Sequence, residues 1–163
     1  MQLWTTILHP TDFSAASNAA FDEAIRLALA SQAELVLLHV VTPVSAFEIQ
    51  ALGWAHLQRR DLDARRRWAN DQLRLFVRLA SRQGVRTRAK VGTGAPDRQI
   101  VGAAEAIDAD LIVLGSHGWS SLDWLLFGTT ARRVIGAARC PVLTVKAPVA
   151  ARLPSQRRAL SAA

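Results

Sequence analysis

Apolar positions along the chain fall into two alternating rhythms. Trp4 to His9, Glu34 to Val41 (ELVLLHVV), Leu111 to Gly115 (LIVLG) and Pro141 to Lys146 (PVLTVK) are short, near-continuous apolar runs. That is the pattern of strands buried on both faces. Val85 to Val91 instead alternates apolar or small residues with Arg86, Arg88 and Lys90, which reads as a strand with one more exposed face. Between these runs the apolar residues return at helical spacing. Ser14 is placed to cap a helix that carries Ser17, Phe21, Ala24, Ile25 and Ala28 on one side. A long helix is expected from about Gln58 to Gln83, with Leu62, Ala69, Leu73, Phe76 and Ala80 inward and Gly84 as its stop. Pro96 opens another, presenting Ile100, Ala103, Ala104 and Ile107, and a last helix after Gly128 buries Val134, Ile135 and Ala138. Residues 42–57 are irregular, punctuated by Pro43 and Gly53, and read as either a lid or a packed crossover.

The resulting order, β-α-β-α-β-α-β-α-β, implies one α/β domain: a five-stranded parallel sheet with helices on both faces and right-handed crossovers. Ligands of such sheets bind beyond the carboxyl ends of the strands, where the winding reverses. The residues after the first, second and fourth strands therefore carry the functional expectation.

Composition narrows the class. The chain has 163 residues, half of them hydrophobic, enough for one domain with a sizeable core. No apolar run approaches the roughly 18 residues a spanning helix needs, so no membrane span is expected. The opening residues lack the features of a signal peptide, and the single cysteine, Cys140, suits a reducing compartment; a cytoplasmic location is the expectation. The net charge of +7 comes almost wholly from arginine, lysine occurring only at Lys90 and Lys146. The arginines cluster between Arg59 and Arg82, where Trp68 and Phe76 are the only aromatics, and between Arg152 and Arg158, where there are none. Neither cluster has the repeated aromatic interleaving of a single-stranded nucleic-acid platform, so nucleic acid is disfavoured as a partner. Beyond Ala147 the composition shifts to Ala, Pro, Ser and Arg, which reads as a basic, poorly ordered tail over 148–163.

The chemistry sits at the strand ends. Pro10-Thr11-Asp12 follows the first strand; Gly115-Ser116-His117-Gly118 follows the fourth; Gly128-Thr129-Thr130 opens the last helix. Glycines admit a close backbone approach to an anion, and a helix N-terminus adds unpaired amides and a favourable dipole. There is no GxxxxGK[ST] and no GxGxxG after the first strand, which disfavours a P-loop NTPase and a dinucleotide enzyme. A loop without lysine holds phosphates by amides and hydroxyls, which favours binding over fast turnover.

Gly115-x2-Gly118-x9-Gly128-Thr129 resembles the G-x2-G-x9-G-[ST] motif of the ATP-binding universal stress proteins. ILHPTDFSAAS, ELVLLHVV, ADLIVLGSHG and RCPVLTVK are similar to that family's first, second, fourth and fifth strands, so the likeness covers about Thr5 to Ala147. The resemblance implies a universal stress protein domain over 1–147. Its sheet would be flavodoxin-like, of the adenine nucleotide alpha hydrolase type, with strand order 3-2-1-4-5. It implies that Asp12 accepts bonds from ribose hydroxyls, with Pro10 and Thr11 shaping its turn, and that Val40 meets adenine through its backbone. Gly115, Ser116, His117 and Gly118 would line the ribose–phosphate loop, and Gly128, Thr129 and Thr130 would hold the phosphates. The ligand would be ATP, or ADP or AMP, with magnesium beside the triphosphate, and the protein a homodimer through its fifth strand, 141–146. The Trp-rich segment 119–127 keeps the motif's length but adds bulk.

Plainer roles compete. Asp12 alone reads as a turn or capping residue, and His117 as a loop histidine with no orienting carboxylate beside it. His9 and His39 read as satisfied core histidines, Cys140 as a packed small residue, and no zinc spacing exists. Ser116 next to His117 makes no nucleophile–base pair. The expected function is a stress-response or signalling module that binds an adenine nucleotide with slow hydrolysis or none. Two alternatives are an interaction module with a vestigial site and a slow ATPase.

Overall fold

A computed structural model of the chain describes residues 3–43, 55–116 and 128–146. His117, Gly118, the Trp-rich segment 119–127, most of the irregular segment (44–54) and the basic tail lie outside the described residues. The elements are β1 (Thr6–Pro10), α1 (Ala15–Ser31), β2 (Glu34–Val41), α2 (Ala55–Arg82), β3 (Thr87–Thr93), α3 (Pro96–Ala106), β4 (Leu111–Gly115), α4 (Thr129–Ala137) and β5 (Val142–Val145). The strands form one parallel sheet in the order β3-β2-β1-β4-β5, as expected. No helix among the described residues is long and apolar enough to cross a membrane.

Strand alternation splits the core in two. Ile7, Leu35, Leu37 and Val113 face α1 and α2, packing on Phe21, Ala24, Ile25 and Leu73. Leu8, Val36, Leu38, Ile112 and Leu114 face α3 and α4, packing on Ile100, Ala104, Ala131 and Val134. Each fully buried Leu or Ile of these sets stabilises the fold by about 1.5–3 kcal/mol. At the strands' amino ends Asp110 staples the start of β1 to that of β4. Its carboxylate accepts from the Thr5 amide (2.8 Å), the Thr5 hydroxyl (2.5 Å) and the Thr6 amide (2.9 Å). Those bonds favour the ionised form and hold the carboxyl below its ordinary range.

Two boundaries and one burial depart from the sequence expectation. Pro10 ends β1 rather than breaking it, because a last-residue proline loses no ladder bond that the strand needs. β3 begins two residues late. Val85 is apolar and buried, but its amide bonds to the Ala80 carbonyl and so belongs to the helix stop built around Gly84 (φ +89°). Ile135 is 44% exposed, because α4 meets the sheet along Ala131 and Val134 and the next position turns away.

Candidate functional site

β1, β2 and β4 end together where the sheet's winding reverses, and α4 begins beside them. The turn after β1 is held tightly. The Thr11 amide donates to the Leu38 carbonyl (2.8 Å), and the Thr11 hydroxyl accepts from the Phe13 amide (3.1 Å) and the Ser17 hydroxyl (2.7 Å). Asp12 Oδ1 accepts from the Ser14 amide at 3.0 Å, and Ser14 in turn caps α1 through the Ser17 amide at 3.3 Å. Phe13 stands at φ +62°, a region that costs a residue with a Cβ about 1–2 kcal/mol. The turn role foreseen for Asp12 is thus real, and the same exposed carboxylate also borders the cavity described next.

That cavity measures about 360 Å³, within the range of small-molecule pockets. Of the residues expected to bind, Pro10, Thr11, Asp12, Val40, Gly115, Ser116, Gly128, Thr129 and Thr130 all line it. His117 and Gly118 lie outside the described residues. Leu38, Pro96, Ile100, Leu114 and Ala131 give it an apolar wall. No lysine or arginine lines it among the described residues.

The backbone around α4 decides which amides can meet an anion. The Ser116 amide donates to the Val145 carbonyl (2.8 Å), and the Gly128 amide donates to the Ser116 carbonyl (2.7 Å). Both are committed to the fold. The N-cap is Gly128, which offers no side chain to the first turn, and the first helical bond runs from the Arg132 amide to the Gly128 carbonyl (3.0 Å). The amides of Thr129, Thr130 and Ala131 therefore lack a helical acceptor and receive no side-chain cap among the described residues. They point along the helix axis with the positive end of its dipole. The donors available to a phosphate are these three amides and two threonine hydroxyls, with Gly128 supplying room.

Gly115 also has a different basis from the one its motif suggests. A Cβ there would lie 2.8 Å from the Ala16 carbonyl carbon and 2.8 Å from the Ser17 amide nitrogen, so β4 can end against α1 only as glycine.

Sequence reasoning missed His39, Thr42, Ser17, Pro96 and Ile100 as lining residues. His39 reads from the sequence as core, yet it is half-buried at the end of β2. A carbonyl can only accept, so the 2.8 Å contact to the Thr11 oxygen fixes the proton on Nδ1. Burial keeps the ring's pKa below its ordinary value, against the opposing pull of the Thr11 bond and Asp12. His9 is fully buried. Its Nδ1 donates to the Val113 carbonyl at 2.8 Å, but Nε2 has no partner among the described residues, so it is only half satisfied.

A profile described as the Universal stress protein family matches residues 4–146. The Universal stress protein MJ0531 of Methanocaldococcus jannaschii is 35% identical over 146 residues, spanning 90% of this chain and 84% of that protein. Among solved structures, universal stress protein UspA from Lactobacillus plantarum superposes with a TM-score of 0.76 at 30% identity, covering 86% of this chain and 97% of that one. A universal stress protein family member from Arabidopsis thaliana, solved with AMP bound, shares the fold at a TM-score of 0.62 and 24% identity, covering 93% of this chain and 97% of that one.

Proposed function

The chain belongs to the universal stress protein family, and from that premise we propose that it binds ATP, or a related adenine nucleotide, as a stress-response or signalling module. One observation carries the reading: a single cavity joins the Asp12 carboxylate to the uncapped amides of Thr129, Thr130 and Ala131. A nucleotide presents hydroxyls and an anion at two ends of one molecule, and this cavity offers an acceptor and a donor set at two sides of one space. In the proposed pose, the ribose hydroxyls donate to Asp12. The phosphates accept from the α4 amides and threonine hydroxyls. The base lies on the apolar wall of Val40, Pro96 and Ile100. AMP in the Arabidopsis protein of the same fold agrees with a ligand of this size.

Magnesium would enter with the triphosphate and would neutralise part of its charge. Asp12 is the only carboxylate along the described wall, and no group of three metal-ligating side chains occurs among the described residues. Hydrolysis is slow or absent in this reading, because the described wall offers no lysine or arginine to stabilise a leaving phosphate. A homodimer through β5 completes the proposal.

Isothermal titration of the purified protein with ATP and magnesium tests it. Saturable binding is expected, weakened at least about tenfold by Asp12→Ala, the cost of a lost charge-assisted hydrogen bond. No heat of binding, together with no nucleotide in the purified protein by mass analysis, would sink the reading.

A further inference from the structure

We infer that His39 is a positioning residue: its contacts with both neighbours of Asp12 aim that carboxylate at the ribose of the nucleotide. The inference rests on the nucleotide reading above and goes beyond it by naming how the ribose contact is enforced.

Asp12 sits at the crest of a short turn and is itself exposed. Its Oδ1 accepts from the Ser14 amide at 3.0 Å, and the residues on either side of it are held as well. Before it, the Thr11 peptide is gripped at both ends by consecutive residues of β2. Its amide donates to the Leu38 carbonyl at 2.8 Å, and its carbonyl accepts from His39 Nδ1 at 2.8 Å. After it, Phe13 occupies the left-handed region at φ +62°, where a glycine would be free and a phenylalanine must be held. The holding is aromatic. The Phe13 ring stacks on the His39 ring with centroids 4.8 Å apart and planes 25° apart, and meets Trp68 and Phe76 edge-on at 5.4 Å each. One imidazole therefore bonds the residue before Asp12 and stacks on the residue after it. His39 lines the same cavity as Asp12, so the device stands at the site and not behind it.

The arrangement also explains the residue type. The Nδ1 proton is required by the Thr11 carbonyl and a flat ring is required by Phe13. Leucine supplies neither, phenylalanine supplies only the ring, and asparagine supplies only the donor.

The test is a cycle between side chain and ligand. Affinities for ATP and for 2′,3′-dideoxy-ATP, both with magnesium, are measured on the wild type, His39→Phe and His39→Asn. If His39 acts through Asp12 on the ribose, His39→Phe weakens ATP about tenfold and dideoxy-ATP by less than about threefold, because the latter has no hydroxyls for Asp12 to read. His39→Asn, which supplies the donor without the ring, recovers part of the ATP affinity lost in His39→Phe. Equal losses on both nucleotides would overturn the inference and leave His39 a merely structural or direct contact. A wild type that binds both nucleotides equally would overturn the ribose reading itself, and one that binds neither would overturn the nucleotide reading. Should the variants fail to fold, nitrogen-15 NMR of the wild-type imidazole decides. A proton resident on Nδ1 supports the clamp, and one resident on Nε2 refutes it.

Discussion

Gly115 ends β4 with no room for a side chain, since an added Cβ would stand 2.8 Å from backbone atoms of Ala16 and Ser17. His9 lies in the adjacent strand with no exposed surface, an Nε2 without a partner among the described residues, and a ring tilted against Phe21 at 5.8 Å. Burial lowers its pKa from 6.5 to about 4, despite the Val113 bond and the pull of Asp12. The unfolded chain takes up a proton near pH 6.5 and the folded chain does not until about pH 4. Stability from this group is therefore complete above pH 6.5 and is lost as the pH falls through that interval. Urea unfolding at pH 7 and pH 4.5 should differ by on the order of 2 kcal/mol more in the wild type than in His9→Asn, which keeps a donor for Val113 but does not titrate. Equal pH dependence in the two proteins would show that His9 is not the source. Neither residue's role is visible in the sequence. A glycine in a motif looks the same whether it yields space to a phosphate or to a helix. A histidine in an apolar run gives no sign of whether its second nitrogen is satisfied.

At the level of elements, legibility followed the number of covered faces. β2 and β4 are buried on both sides, and their apolar runs mark the observed ends, Glu34–Val41 and Leu111–Gly115. β3 lies at the sheet edge, where the apolar signal of Val85 comes from the stop of α2 rather than from the strand. The start of α4 was legible as glycine followed by threonines, but not the distribution of its amides. That depends on the Gly128 amide bonding back to the Ser116 carbonyl at 2.7 Å, a contact of two separate segments. Gly128 stands at φ −64°, so its backbone does not demand glycine. That backbone is compatible with a capping side chain, and the absence of a cap is what leaves the first turn to an anion. Gly128→Asp is expected to keep or raise stability by a few tenths of a kcal/mol by filling the cap. It should also weaken ATP binding at least about tenfold, because the new carboxylate occupies and repels the phosphate position. Thermal melts and titrations read the two effects separately. Unchanged ATP affinity in a folded Gly128→Asp protein would mean that phosphates bind elsewhere.

For the whole molecule, the two sheet edges differ in a way that bears on assembly. β3 presents exposed Arg88 and Lys90, charges that discourage pairing with another strand. β5 carries no charge along Val142–Val145, with Leu143 36% exposed. The proposed dimer therefore uses the β5 edge. Leu143→Asp should convert it to monomer in sedimentation velocity at micromolar concentration, and an unchanged dimer would place the interface elsewhere. The parallel sheet was legible in the alternation of strands and helices, whereas its order, β3-β2-β1-β4-β5, was legible only through the family resemblance. Which residues meet at the winding reversal was legible only in part. Asp12 and Thr129 were legible through the motif resemblance, while His39 and Ile100 read as core and Pro96 as the start of a helix until the sheet brings them to the cavity.

The central claim is that one nucleotide spans from Asp12 to the first turn of α4. Backbone amide NMR during titration with ATP, and separately with adenosine, tests it most directly. ATP with magnesium should shift the amides of Asp12, Thr129, Thr130 and Ala131 together, whereas adenosine should shift Asp12 and leave the three α4 amides nearly still. ATP binding that leaves Thr129, Thr130 and Ala131 unmoved would contradict the account.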